Sequence, residues 1–211
     1  MLAHALRDEI ATAGVDVLDL CTGSGALAVS AAMLGARTTA VDVSRRALIS
    51  ARLNARLNGV RVRTRRGWLF EALRGERFDV IASNPPYLPG APLLPHDGPA
   101  RAWEGGLDGR VLLDPICEQA ASFLRPGGAV LLVHSSVCGV ERTLALLAST
   151  GLEVGVVQRT RGPLGARLRE RASDLWAAGL LAPGQLEEDI VIVRGVLPAV
   201  RRPVRQVTAR A

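Results

Sequence analysis

Five consecutive residues, Ser83-Asn84-Pro85-Pro86-Tyr87, follow directly on the apolar run Phe78-Asp79-Val80-Ile81-Ala82. Each proline fixes its own φ and donates no N–H, and each pushes the residue before it towards extended backbone. The segment is therefore stiff, and its carbonyls face little local competition. Asn84 adds a side-chain carbonyl acceptor, and Tyr87 adds a flat ring with a polar tip. Two fixed acceptors beside a ring suit one chemical task, gripping a planar NH2 group by both hydrogens. The same residues would also serve as a Pro-containing turn leaving a strand, so the surrounding chain has to decide.

A second cluster lies upstream. Val15-Asp16-Val17-Leu18-Asp19-Leu20 reads as a buried strand and runs into Cys21-Thr22-Gly23-Ser24-Gly25, after which Ala26 to Leu34 reads as a small-residue helix closed by Gly35. Strand, glycine turn and helix open a nucleotide-binding α/β unit, in which backbone comes close to a ligand and the helix start offers unpaired N–H groups. Asp42 ends the next strand, where a carboxylate can accept from both hydroxyls of a ribose. Gly23-Ser24-Gly25-Ala26-Leu27-Ala28 also fits a dinucleotide fingerprint, but Asp19 just before the turn would repel a pyrophosphate. It would suit a ligand carrying an ammonium group. Hydride transfer also has no use for a stiff double acceptor.

The elements that must position these clusters alternate along the chain. Leu2 to Ile10 predicts an amphipathic helix with Leu2, Leu6 and Ile10 spaced by four. Thr38 to Val41 predicts a strand. Ser44 predicts a cap for a helix whose Ile49, Leu53 and Leu57 form the buried stripe, with Arg45, Arg52 and Arg56 on a solvated face. Val60 to Arg65 alternates apolar residues with arginine, as a half-exposed edge strand does. Leu88 to Gly109 is too broken by Pro and Gly for a long element and reads as an active-site loop. A helix before Leu124 stops at Arg125-Pro126-Gly127-Gly128, with Asp114-Pro115 leaving its start open. Strands follow at Ala129–His134, Leu152–Val157 and Ile190–Val193, with helices at Val140–Leu147 and, amphipathic on Leu164, Leu168 and Leu175, between Gly162 and Gly184. This predicts one doubly wound α/β domain over residues 1–196, with an Arg- and Pro-containing tail, 197–211, expected to be disordered.

Composition narrows the class. Among 211 residues, 48% are hydrophobic and 22% charged, as in an ordinary globular protein. No apolar run reaches the roughly 18 residues of a membrane span, and the N-terminus lacks a secretory pattern. Cys21, Cys117 and Cys138 are too scattered for a disulfide or zinc framework. The expectation is a cytoplasmic protein with no metal and no membrane partner. The net charge is +6 and every one of the 26 basic residues is arginine. Nucleic-acid binding and a genome-wide compositional bias both account for that. His96 and His134 are acid–base candidates by residue type alone, and Cys117 and Cys138 read as packing.

Val17 to Gly25, Asp42 and Ser83-Asn84-Pro85-Pro86-Tyr87 together resemble a class I S-adenosylmethionine-dependent methyltransferase of the HemK/PrmC-like protein-(glutamine-N5) methyltransferase family. Trp103 to Arg110 and Leu124 to Gly128 also resemble that group, and the likeness runs from about Val15 to Gly195. The resemblance implies a mostly parallel seven-stranded sheet with its last strand antiparallel. It implies S-adenosyl-L-methionine over Asp19, Cys21, Thr22, Gly23, Ser24 and Gly25, with Asp42 on the ribose and Val43, Trp68 and Asn84 completing the cofactor site. Asn84, Pro85, Pro86 and Tyr87 would hold the target amide. The family often carries an acid at the end of the third strand, where this chain has Gly67-Trp68. Only 14 residues precede the first strand, so the chain is expected to lack the family's N-terminal helical domain.

The resemblance implies a protein substrate, a translation release factor. Two alternatives stay open: methylation of a nucleobase or small-molecule amine, and a cofactor-binding subunit with no catalysis of its own. A flipped base calls for aromatic walls, and aromatics make up only 3% of the chain.

Overall fold

The computed structural model describes residues 1–10, 14–90 and 99–199. Seven strands form one sheet: β1 (Asp16–Leu20), β2 (Arg37–Asp42), β3 (Val62–Arg66), β4 (Phe78–Ser83), β5 (Leu124–Ser135), β6 (Glu153–Pro163) and β7 (Glu187–Val196). Their order is β3-β2-β1-β4-β5-β7-β6. All neighbours pair parallel except β7, which runs antiparallel to both β5 and β6. The chain reverses its direction of winding between β1 and β4, the place where open α/β sheets hold ligands beyond the carboxyl ends of their strands.

Helices α1 (Leu2–Glu9), α2 (Ala26–Met33), α3 (Arg45–Leu57), α4 (Leu113–Phe123) and α5 (Val140–Ser149) cover the sheet. Two apolar clusters result. One gathers Leu18, Leu20, Phe70, Ile81, Ile116 and Leu132, and the other Leu6, Val17, Val80, Leu131 and Ile192. Alternate residues of β1 and β4 fall into opposite clusters, which is the period-2 pattern of a strand buried on both faces. Pro115 sits in the first turn of α4, where its missing N–H costs nothing.

Three expectations need correction. On α3 the buried residues are Leu48, Ala51 and Ala55, while Ile49, Leu53 and Leu57 are 62%, 55% and 74% exposed. The reason is close approach: a Cβ on Gly25 would lie 2.7 Å from Ala51 Cβ, so only a small side chain fits where α3 crosses the glycine turn, and that sets which face of the helix turns inward. The single helix expected between Gly162 and Gly184 is two short ones, α6 (Ala166–Glu170) and α7 (Ala172–Ala177), whose Leu168 and Leu175 join Leu164 and Leu181 in a small separate core. The last two strands are also longer than expected. β6 and β7 pair from Glu153↔Val196 to Pro163↔Glu187 and carry that insertion at their tip. The active-site loop lies partly, and His96 wholly, outside the described residues. So do residues 200–211 of the tail.

Candidate active site

Register builds the site. Leu20 pairs with Val41 of β2 on one side and with Ser83 of β4 on the other. The next residue of each strand therefore stands at one level across three adjacent strands: Asp42, Cys21 and Asn84. Neighbouring strands lie about 4.8 Å apart, so the glycine turn, Asp42 and the Asn84–Tyr87 segment share a single crevice. The Ser83 hydroxyl, fully buried, donates to the Leu20 carbonyl at 2.8 Å and locks the two strand ends together.

The glycine turn is held by carboxylates from two sides. Asp19 Oδ2 accepts from Thr22 Oγ1 at 2.5 Å and from the Ala28 N–H at 3.0 Å. Asp42 accepts from the Gly23 N–H at 3.0 Å and the Ser44 N–H at 2.8 Å. Asn54 of α3 donates to the Ser24 carbonyl at 2.8 Å. Gly25 has a φ of +82° directly beneath Ala51, a position where both the conformation and the space admit only glycine. Burial pushes the Asp19 carboxyl up to about 7, its two hydrogen bonds offsetting only part of the desolvation and Asp42 adding to the rise. Cys21 is likewise pushed up to about 12 by burial, with both aspartates adding to it, so it is a neutral thiol and no nucleophile.

A cavity of about 250 Å³ opens on this crevice, walled by Cys21, Gly23, Asp42, Val43, Trp68 and Asn84 among others. Cys21 and Leu69, both in its lining, are the two non-glycine residues with positive φ among the described residues, at 56° and 43°. Strained backbone of this kind collects at ligand sites. Of the residues expected from the sequence, Pro86 also lines the cavity. Asp19 does not. It is 1% exposed and turned behind the glycine turn, where it holds Thr22 and the start of α2. Thr22, Ser24, Gly25, Pro85 and Tyr87 are likewise outside the lining, though all but Gly25 adjoin a residue within it.

Several residues of the site are not among the cofactor-binding or catalytic residues expected from the sequence, although Ser44 is the expected helix cap and Glu104 and Arg110 lie in the Trp103–Arg110 stretch that carries the family resemblance. Val41, Ser44, Ala47, Leu69, Ala102 and Leu112 line the cavity; most are apolar and anonymous in a sequence. Glu104 lines it too, reached by the backbone bridge that sets it beside Leu88. Arg110 is 3% exposed and anchors the end of the loop, donating to the Cys138 carbonyl, to Thr143 Oγ1 at 3.1 Å and to Asp114 at 2.7 Å. Of the other candidates, His134 is fully buried on β5, its Nδ1 2.8 Å from the Ser135 carbonyl oxygen, and burial lowers it to about 4. It is a neutral core residue away from the cavity. Cys117 and Cys138 are buried, as packing requires.

The donor set fits S-adenosylmethionine. Asp42 spends one lone pair of each oxygen on backbone N–H groups and has others left, enough to accept from the two hydroxyls of a ribose. Val43, Ala47, Trp68 and Leu69 offer an apolar slot beside it for adenine. No group of three or more His, Cys, Asp or Glu is placed to hold a metal ion among the described residues. None of the described helices is long and apolar enough to cross a membrane.

Comparison with known proteins agrees with this geometry. Residues 1–94 match the methyltransferase small domain family. A Methanocaldococcus jannaschii protein, named provisionally as a protein N5-glutamine methyltransferase, is 34% identical over 160 residues, covering 75% of this chain and 81% of that protein. The release factor glutamine methyltransferase of Deinococcus radiodurans is 46% identical over 124 residues, 55% of this chain and 44% of that one. That of Gloeobacter violaceus is 37% identical over 178 residues, 79% of this chain and 61% of that one. The chain thus spans about half the length of these release factor relatives. Among solved structures, the Encephalitozoon cuniculi Mtq2–Trm112 complex, described as responsible for methylating the eRF1 translation termination factor, superposes with a TM-score of 0.60 at 21% identity. The match covers 92% of this chain and 94% of that one. On the sequence relationship and the shared sheet, the chain belongs to the protein N5-glutamine methyltransferase family of class I S-adenosylmethionine-dependent methyltransferases.

Proposed function

We propose that the protein transfers the methyl group of S-adenosylmethionine to the side-chain amide nitrogen of a glutamine in a protein, and that this protein is a translation release factor. The observation that carries the reading is the shared level of Asn84 and Asp42 on the crevice, with Asn84 exposed in the cavity wall and Pro85 buried behind it. An amide nitrogen is a weak nucleophile because its lone pair is delocalised into the carbonyl. The Asn84 side-chain carbonyl and the Pro85 backbone carbonyl accept its two hydrogens, which raises electron density on nitrogen and fixes its direction. Both bonds strengthen as nitrogen becomes positive, so they favour the transition state over the ground state. Alignment of the nitrogen with the methyl group supplies much of the rest. No strong base is required, because the alkylated nitrogen is itself acidic. In keeping with this, neither His134 nor a free thiolate faces the cavity.

The glutamine reading is favoured over a nucleobase by the state of the aromatic residues. A flipped base is held between rings. Here Trp68 lines the cavity, but Trp103 is covered by the Arg167 guanidinium, 3.5 Å from its ring centre. Incubation with methyl-labelled S-adenosylmethionine and, separately, a bacterial release factor or total RNA tests the assignment. Label in the release factor, removed by changing its Gly-Gly-Gln glutamine, is the expected result. Label in RNA, or cofactor binding with no transfer to either, overturns it.

A further inference from the structure

Between Val43 and Phe70 the chain carries eight arginines and not one carboxylate. This is the stretch that builds α3 and β3. Among the described residues only Arg63 of those eight forms an ion pair, with Glu76. Outside the stretch, eight of the thirteen arginines with described side chains are paired with carboxylates. Net charge is therefore a poor description of this surface: the excess is concentrated on one edge of the sheet.

That edge holds a second, larger hollow of about 1340 Å³ at the amino ends of β1 to β4, the end of the sheet opposite the candidate active site. Arg52 and Arg56 reach it from α3, Arg61 and Arg63 from the β3 side, and Arg77 from the turn before β4. Its two carboxylates are already neutralised: Asp16 is paired with Arg37 and Arg125, and Glu76 with Arg63. Two of the arginines are braced through Nε, Arg52 on Thr64 Oγ1 at 2.6 Å and Arg63 on Thr39 Oγ1 at 3.1 Å. Bracing through Nε leaves the terminal nitrogens of Arg52 to face a ligand. In the same lining, Thr38 Oγ1 is buried with no hydrogen-bond partner among the described residues, a state that costs free energy unless something supplies one.

We infer that this groove binds the phosphate backbone of a structured RNA. Guanidinium forks match phosphate oxygens. The one aromatic residue in the lining, Phe78, is 3% exposed, so bases find nothing to stack on and recognition runs through the backbone. An acidic protein fits less well, because protein interfaces bury an apolar centre. The exposed apolar residues nearby, Met33, Ile49, Leu53 and Leu57, are absent from the lining. Thr39, the lining residue of β2 nearest Asp42, stands three residues before it, about 10 Å along the strand, and the groove opens at the opposite end of the sheet, so RNA held here leaves the methyl-transfer crevice open. The assignment is independent of which acceptor that crevice serves.

Fluorescence anisotropy of the full chain with a labelled 20-base-pair RNA duplex, across a salt series, tests it. With four arginines on phosphates, the logarithm of affinity falls against that of salt concentration with a slope of about −3.6. Arg56→Glu/Arg61→Glu is expected to weaken binding at least tenfold and to halve the slope. Its melting temperature and S-adenosylmethionine affinity should stay at wild-type values. RNA affinity in that variant within twofold of wild type, or a polyglutamate peptide displacing the duplex as well as unlabelled RNA does, overturns the proposal.

Discussion

Arg171, in the helical insertion at the tip of the β6–β7 hairpin, donates to Glu104 at 2.8 Å and to the Pro89 carbonyl at 3.0 Å. The pair ties the insertion to the lip of the active-site cavity, since Glu104 lines that cavity and Pro89 lies two residues past Tyr87. The Glu104 side chain is 9% exposed against 39% for Arg171. Losing the arginine therefore strands a nearly buried carboxylate. Arg171→Ala is expected to cost about 2 kcal/mol, the range of a hydrogen bond to a charged group, and to lower melting by about 4–8 °C. Adding Glu104→Gln to Arg171→Ala should recover part of the loss, because the stranded charge is gone. A double variant less stable than the arginine variant alone contradicts this account.

Asn84 has no other described task than to face the cavity, so its removal should leave the fold alone. By analogy with losing one preorganised polar contact, Asn84→Ala is expected to lower turnover roughly 100- to 1,000-fold. Affinity for S-adenosylmethionine, read by calorimetry, should change little. Wild-type turnover in this variant would remove Asn84 from the mechanism.

Gly109 underlies the proposed catalytic segment. Its φ is +77°, and a Cβ there would lie 2.2 Å from the Tyr87 carbonyl oxygen and 2.8 Å from Cys138 Sγ. The Cys138 thiol itself donates to that carbonyl at 2.9 Å. Gly109→Ala must displace Tyr87, on top of about 1–2 kcal/mol of left-handed strain. The expected result is a loss of turnover far exceeding the loss of cofactor affinity. Equal losses in both would show a general collapse of the site instead.

Much of this could be read in the sequence, and the exceptions share a cause. Strand positions were visible because buried strands leave continuous apolar runs, as in Val15–Leu20 and Phe78–Ala82. The crevice followed from the residues that end those runs. The i, i+4 spacing of Ile49, Leu53 and Leu57 points to the wrong face of α3, because the tight contact between Gly25 and Ala51 turns Leu48, Ala51 and Ala55 inward and leaves the larger stripe outside. A carboxylate just before the glycine turn suits an ammonium-bearing ligand, which puts Asp19 in the expected cofactor site, yet it is 1% exposed and outside the cavity lining. The cost of burying it is met by Thr22 and Ala28, partners that no linear pattern identifies. Glu104 and Arg171 are 67 residues apart, and only the β6–β7 hairpin brings them together.

Asp19 and His134 give the stability a pH dependence whose two parts oppose each other. Burial raises Asp19 from 3.8 to about 7. The unfolded chain then loses its proton first as pH climbs, so this stabilisation is full below about 4 and is lost by about 7. Burial lowers His134 from 6.5 to about 4, outweighing its bond to the Ser135 carbonyl. Here the unfolded chain binds the proton first as pH falls, so the stabilisation is full above 6.5 and is lost towards 4. Between about 4 and 6.5 the two changes run in opposite directions, and the wild-type profile should be flattened. Asp19→Asn keeps an acceptor for the Ala28 N–H but cannot titrate, leaving a profile in which stability rises with pH across that window. His134→Gln removes the other part, leaving one that falls. Urea unfolding of the three proteins at pH 4.5, 5.5 and 6.5 measures these slopes directly. Parallel slopes in all three would mean that neither buried group titrates as its surroundings dictate.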